Sequence, residues 1–194
     1  MLAVGFHKSK TMDTHLSRAV VRGGIGFCLV SLAVFATVAF GERWMYARLG
    51  QAGAYVAWTL AFIVLGGVVL GTVVDGSRWR FYLLWGVAFF AYAAGWVAAY
   101  FVVRGLAGEL LGSLLGSLLL TTVFALGFSA SRLIPKLSLL LFVGNSAGYF
   151  LGSAINDYIG GRAGMLLWGL IYGLLLGTAL ATLLHLLQKS RNEL

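Results

Sequence analysis

Charge is what this chain of 194 residues lacks most, since Asp, Glu, Lys and Arg make up 10% of it and apolar residues 60%. Soluble domains carry about 25% charged and about 45 to 50% apolar residues, so the composition excludes an ordinary soluble protein. The length is typical of a single domain. Because Cys28 is the only cysteine, an intramolecular disulfide and a cysteine-based metal site are also excluded.

Groups that could carry out catalysis are scarce as well. The three histidines lie near the chain ends, and all six acidic residues lie outside the long apolar stretches. Chemistry within a membrane needs a nucleophile with a base, a carboxylate pair or a metal set. We therefore predict no catalytic residue, no metal and no cofactor. An enzyme would require an acid and a base from distant loops, such as Asp75 or Asp157 with His185. The lack of an acid inside a span also disfavours ion-driven transport.

What the chain does have is six stretches without any charge. Each contains 19 to 26 residues, and about 20 residues of helix cross a hydrocarbon core of about 30 Å. A backbone in lipid must satisfy its own hydrogen bonds, which favours helices. The sequence thus predicts an all-α polytopic membrane protein with six transmembrane helices, whose charge-free stretches are 23–41, 49–74, 81–103, 110–131, 137–156 and 163–188.

The distribution of cations predicts the orientation, because Lys and Arg mark the cytoplasmic side. With both termini in the cytoplasm, ten cations lie on that side: Lys8, Lys10, Arg18, Arg22, Arg78, Arg80, Arg132, Lys136, Lys189 and Arg191. Four lie on the other: Arg43, Arg48, Arg104 and Arg162. Single cations at span ends suit anionic lipid headgroups, so the net charge of +8 predicts no nucleic-acid partner. We expect a bacterial cytoplasmic (inner) membrane.

These patterns give a domain map. A cytoplasmic tail, 1–20, precedes a first three-helix unit, 21–103, and a second unit, 104–188, precedes a cytoplasmic tail, 189–194. The predicted spans are 21–41, 52–74, 81–103, 110–130, 137–156 and 164–187. Translation could start at Met1 or Met12, since residues 1–11 show no periodicity and predict disorder. A signal peptide is the alternative for 23–41, but this stretch is longer than the apolar region of a typical signal peptide.

An internal repeat relates the two units. Val21-Arg22-Gly23-x-x-Gly26 recurs as Val103-Arg104-Gly105-x-x-Gly108, Gly67-x-x-Leu70-Gly71 recurs as Gly148-x-x-Leu151-Gly152, and Leu83-Leu84-Trp85-Gly86 recurs as Leu166-Leu167-Trp168-Gly169. Units of three helices must enter the membrane from opposite sides, so the pattern predicts inverted-topology repeats. Transporters and channels often use such repeats, with a site near the midplane. The alternative is a duplicated scaffold without any pathway.

Glycines spaced by four predict close helix contacts in the second half. They form three rows, 108/112/116, 144/148/152 and 169/173/177. Tight packing within one monomer is the plainer interpretation, and a homodimer or a partner membrane subunit held through these faces is the alternative.

Asn145 is the only side-chain amide well inside a stretch. It could bind a solute, or it could form an ordinary interhelical hydrogen bond. Together with neighbouring small and mildly polar positions it gives our predicted pathway lining: Gly112, Ser113, Gly116, Ser117, Asn145 and Ser146.

The repeat also pairs charges at the span ends. It predicts ion pairs between Arg22 and Asp75 and between Arg104 and Asp157, because carboxylates near a membrane are costly unless paired. Such pairs would be gates in a transporter or clamps in a scaffold, and local partners, Arg78 and Arg162, compete for the two acids. The sequence therefore favours a small transporter or channel-like protein, with a non-catalytic accessory or assembly subunit as the alternative.

Overall fold

The computed structural model describes residues 8–192, with side chains for 16–191, and the regular structure of this part is helical. Five helices are long and apolar enough to cross a membrane, as expected of a multi-pass integral membrane protein. They are α1 (Lys8–Leu70), α2 (Arg78–Val103), α3 (Gly105–Gly127), α4 (Ile134–Ile159) and α5 (Gly161–Asn192), with a short 3-10 turn, Ser131–Leu133, before α4.

Helix α1 is bent back on itself at Gly50, where φ is 67° and ψ is 176°. A straight helix of 63 residues would be about 95 Å long, roughly three times the hydrocarbon thickness of a bilayer. Its two arms, 8–49 and 51–70, instead lie side by side. The Trp58 indole Nε1 donates a hydrogen bond of 3.1 Å to Thr37 Oγ1 across them, and the Phe27 and Phe62 ring centroids are 5.9 Å apart. The structure thus has one folded helix where the sequence predicts the first two spans.

Two other connections begin with the same backbone conformation as the turn at Gly50. Arg104 joins α2 to α3 with φ 60° and ψ 165°, and Gly160 joins α4 to α5 with φ 72° and ψ 173°. The chain reverses at Gly50 through one residue with positive φ, and at the other two places the next residue also has positive φ, 57° at Gly105 and 59° at Gly161. Glycine adopts this conformation at the lowest cost. Because successive helical segments are antiparallel, the three turns lie at one end of the molecule, which we call the turn end.

The helix bounds differ in places from the predicted spans. The second arm of α1 ends at Leu70, and residues 71–73 form a turn with the Gly71 N–H bonded to Gly67 O at 2.9 Å. Helix α3 already begins at Gly105, because the turn at Arg104 leaves no loop. At the termini, the helix extends to Lys8 and to Asn192. The remainder of the predicted tails, 1–7 and 193–194, lies outside the described residues.

Helix α5 packs between α1 and α4, and α3 packs between α2 and α4. Aromatic side chains fill much of the core, among them the fully buried Trp85, Phe27 and Phe124. The Trp85 ring lies across Phe89, with centroids 5.0 Å apart. At the end opposite the turns, Gln188 closes the bundle, since its Oε1 accepts a hydrogen bond of 2.7 Å from the Asp75 backbone N–H.

The three glycine rows face neighbouring helices of the same chain. A Cβ atom added at Gly112 would lie 3.0 Å from the Trp96 carbonyl oxygen, and one at Gly173 would lie 2.8 Å from the Cys28 Cα atom. Row 108/112/116 faces α2, row 144/148/152 faces α5, and row 169/173/177 faces α1. The rows therefore sit in contacts between helices of one chain, and a role in binding a second copy or a partner subunit stays a prediction.

Candidate functional site

A buried hydrogen-bond network centred on Asn145 joins four helices. Its Oδ1 atom accepts hydrogen bonds from the Tyr92 hydroxyl at 2.8 Å and the Tyr172 hydroxyl at 3.1 Å. Its Nδ2 atom donates to Ser113 Oγ at 2.7 Å, and Ser113 Oγ pairs with Ser146 Oγ at 2.7 Å. The two tyrosine hydroxyls also lie 3.0 Å apart. The Asn145 amide on α4 therefore connects its own helix with α2, α3 and α5.

This network satisfies polar groups that would be costly to leave unpaired in a membrane. Tyr92, Ser113, Asn145 and Tyr172 are all buried, and an unpaired polar group there costs several kcal/mol. The Asn145 amide uses both lone-pair directions of its oxygen and one of its two N–H donors. A solute reaching this centre would have to exchange hydrogen bonds with these groups, so the network can both stabilise the bundle and recognise a polar group.

An aromatic cavity of about 220 Å³ borders the network on its α1 side. Tyr92 and Tyr172 contribute to both the network and the cavity wall. The remaining wall comes from both arms of α1, from α2 and from α4: Phe35, Tyr55, Trp58, Thr59, Phe62, Phe89, Ala93, Trp96, Val97 and Tyr149. A space of this kind suits a small, mainly apolar molecule, since ring faces give dispersion contacts and a few hydroxyls give direction.

A lateral groove of about 400 Å³ leads away from the aromatic cavity between the second arm of α1 and α2. The two spaces share Tyr55, Thr59, Ala93 and Val97 as walls. The other groove residues are Gln51, Ala52, Val56, Leu60, Phe90, Ala94 and Phe101. Several of these side chains form an open rim, with Leu60 54% and Phe90 65% exposed. The groove therefore gives the cavity an apolar entrance from the side of the molecule, near the turn end.

The structure brings three of the six predicted lining residues together. Ser113, Asn145 and Ser146 are members of the network. Gly112 and Gly116 instead face α2 at Trp96 and Tyr92.

Ser117 is buried, and its hydroxyl has no hydrogen-bond partner within the described part of the chain. The aromatic cavity and the groove are lined by other residues, so a lining role for these six positions stays a prediction.

Sequence reasoning did not identify Tyr92, Tyr172 or the aromatic cavity. A signal was present, because both tyrosines lie far from the ends of their charge-free stretches, whereas tyrosine in membrane proteins prefers the interface. A hydroxyl placed that deep needs a partner. Asn145 was the evident acceptor, but the sequence does not reveal which helix faces meet.

The four predicted ion-pair residues, Arg22, Asp75, Arg104 and Asp157, are all exposed. Asp75 is fixed through its backbone by Gln188, and Arg104 forms the turn between α2 and α3. The ion pairs Arg22–Asp75 and Arg104–Asp157 stay predictions.

Among the side chains that the structure describes, no group of three His, Cys, Asp or Glu residues is placed to hold a metal ion. The expectation of no metal and no cofactor stays a prediction.

Comparisons of the chain with protein-family models, with curated proteins and with solved structures found no match.

Proposed function

We propose that this protein is a small membrane transporter that binds a small, mainly apolar solute in the aromatic cavity and passes it between two inverted three-helix repeats. The cavity, with tyrosine hydroxyls at its inner wall and an apolar lateral entrance, is the observation that carries this proposal. Pockets for drug-sized ligands measure about 300 to 1,000 Å³, so a volume of about 220 Å³ favours a smaller solute with one polar group.

The proposal includes six spans with both termini in the cytoplasm of a bacterium. Support comes from the bend at Gly50, which gives α1 two arms that are each long enough to cross a bilayer. The distribution of cations supports the same orientation, because the end opposite the turns carries most of them. The turn end then faces away from the cytoplasm.

The contacts between helices support an inverted repeat. The first arm of α1 packs on α5, and α3 packs on α2. In both cases the first helix of one half contacts the third helix of the other, as a two-fold axis in the membrane plane requires. The hydroxyls of Tyr92 and Tyr172, 3.0 Å apart, come from the third helix of each half, so these two helices also meet at the network.

One difference between the halves supports transport rather than a scaffold. Toward the turn end, the lateral groove separates the second arm of α1 from α2. Nearer the opposite end these two segments are in contact, with Trp85 Nε1 2.8 Å from the Ile63 carbonyl oxygen. Their counterparts, α4 and α5, are in close contact along the whole of row 144/148/152. Inverted repeats can exchange such open and closed arrangements, which gives alternating access to a central site. We propose that the present arrangement is open toward the turn end and that the exchange closes the groove and separates α4 from α5 at the opposite end.

The test is solute flux into proteoliposomes, using a panel of small alcohols, amides and aromatic solutes. Ala93→Leu would fill the junction of cavity and groove, so we expect saturable flux to fall at least about tenfold. Ala147→Leu adds the same volume at an exposed position of α4 and should leave flux unchanged. Equal flux in both variants would exclude the cavity as the route, and no saturable flux for any solute in the wild-type protein would contradict transport.

A non-catalytic accessory subunit is the second candidate, and the open groove favours it. A partner's transmembrane helix could cover the exposed Leu60 and Phe90. In that case Leu60→Glu would release a co-purifying membrane subunit, whereas a transporter would retain flux without any partner.

A further inference from the structure

A third cavity, of about 290 Å³, lies at the end opposite the turns, between the start of α4 and the end of α5. We call it the basic cavity, because three cations line it: Arg132, Lys136 and Lys189. The remaining wall consists of the Ser190 hydroxyl group and three leucines, Leu133, Leu137 and Leu186. This combination of cationic rim and apolar wall is separate from the aromatic cavity.

The acidic residues with described side chains do not line this cavity. Glu42, Glu109 and Asp157 belong to the turn end, and Asp75 shares the end of the basic cavity without being part of its wall. Arg191 adds a further cation nearby, with its guanidinium 5.6 Å from the centre of the Phe128 ring. An anion placed between several cations is attracted to each of them.

The side chains are also arranged in a way that suits a phosphate group. Arg132 Nη2 donates a hydrogen bond of 3.2 Å to Ser190 Oγ, which links its guanidinium to α5. The planar guanidinium has further N–H donors, which match phosphate oxygens two at a time. Lys136 stands in the first turn of α4, where the helix dipole adds a weaker attraction for negative charge.

We propose that the basic cavity binds the phosphate group of an anionic membrane lipid, with Arg132 and Lys136 on the α4 side and Lys189 on the α5 side. The apolar wall indicates a lipid rather than a free ion, since leucine side chains can contact the start of an acyl chain. Basic pockets between transmembrane helices on the cytoplasmic side are suited to such headgroups. Since cations of two helices would hold one phosphate, the lipid would tie α4 to α5.

The experiment counts lipids bound to the purified full chain by native mass spectrometry in a neutral detergent. Phosphatidylglycerol is compared with phosphatidylcholine, and inorganic phosphate is tested separately by its effect on thermal unfolding. The test variant is the double substitution Lys136→Gln with Lys189→Gln. Its matched control, Arg78→Gln with Arg80→Gln, removes two exposed cations from the same end of the molecule.

We expect one tightly bound phosphatidylglycerol in the wild-type protein and in the control. In the test variant we expect its affinity to fall about fivefold for each lysine removed. Lys136→Arg with Lys189→Arg should restore the binding, which separates loss of charge from loss of folding. If inorganic phosphate stabilises the wild-type protein but not the test variant, the basic cavity binds phosphate, and its ligand is a soluble phosphate rather than a lipid. Equal binding in the test variant and the control, or no preference for phosphatidylglycerol, would overturn the proposal.

Discussion

The Tyr92 hydroxyl donates a hydrogen bond of 2.8 Å to Asn145 Oδ1, although 53 residues separate the two side chains. This contact joins α2 to α4. The same amide oxygen accepts a hydrogen bond from Tyr172, so one acceptor ties α2 and α5 to α4. The network forms the inner wall of the aromatic cavity, and any movement of the two halves against each other must change its hydrogen bonds.

Asn145→Leu should therefore destabilise the protein by about 2 kcal/mol, since three interhelical hydrogen bonds at about 0.6 kcal/mol each are lost and two tyrosine hydroxyls lose an acceptor. Reversible unfolding in mixed micelles measures the free energy of unfolding. The control is Thr122→Val, because the Thr122 hydroxyl bonds only the carbonyl of Leu118 in its own helix, at 2.7 Å. This substitution should change stability by less than about 0.5 kcal/mol.

A double-mutant cycle with Tyr92→Phe tests whether these groups act together. If they do, the double variant should be less destabilised than the sum of the two single variants, because each single change already removes the shared bond. Strictly additive effects would contradict the network.

The two tryptophans that the repeat pairs, Trp85 and Trp168, differ in their hydrogen bonds and predict different responses. Trp85 Nε1 donates to the Ile63 carbonyl oxygen at 2.8 Å, whereas Trp168 Nε1 is buried without a hydrogen-bond partner among the described residues. Trp85→Phe should destabilise the protein by about 1 kcal/mol more than Trp168→Phe, because only the first substitution removes a hydrogen bond. Chemical unfolding of the two variants side by side measures the difference, and equal losses would contradict this account.

Part of this site could be predicted from the sequence, because polar residues are conspicuous within apolar stretches. Asn145 stood out as a lone amide within an apolar stretch, and Ser113 and Ser146 lay beside glycines that indicated a helix contact. The contacts of Gly112 and Gly116 with α2 were not predictable in the same way. Periodicity shows which residues share a helix face, but it does not show which neighbour that face meets.

The turn at Gly50 illustrates a second limit. Charges near residues 42–48 indicated a boundary between spans, yet a single residue reverses the chain there. Loop length depends on how closely the two arms pack, and that packing depends on contacts such as Trp58 with Thr37, which are distant in sequence. Because the chain reverses at Gly50 without a loop, the structure has five long helices where the sequence predicts six spans.

Gly173→Ala should destabilise the contact between α1 and α5 by about 1 to 3 kcal/mol, the usual cost of overpacking. The added methyl group would lie 2.8 Å from Cys28 Cα and 3.0 Å from the Phe27 carbonyl oxygen, and neither backbone atom can move away without shifting the helix. Thermal unfolding in micelles measures the loss.

The matched control for this change is Gly41→Ala, at a helical position of α1 where nothing lies within 4 Å of an added Cβ atom. There alanine should stabilise the protein by about 0.5 to 1 kcal/mol, because glycine loses more backbone entropy in a helix. A loss at Gly41 equal to that at Gly173 would mean that helix contact is not the cause.

Arg104→Gly should stabilise the protein, although it removes an exposed cation. Arg104 has φ 60° and ψ 165°, a region that is adopted almost only by glycine and costs other residues about 1 to 3 kcal/mol. The equivalent turns have glycine at positions 50 and 160. Glycine also gives the unfolded chain more conformational freedom, which opposes this gain by about 0.5 to 1 kcal/mol. The net gain in the free energy of unfolding should therefore be about 1 kcal/mol.

The control for this change is Arg104→Ala. It removes the same charge but keeps the strain, so it should give no gain in the free energy of unfolding. A gain of equal size in both variants would assign the effect to charge rather than to the backbone conformation of this turn.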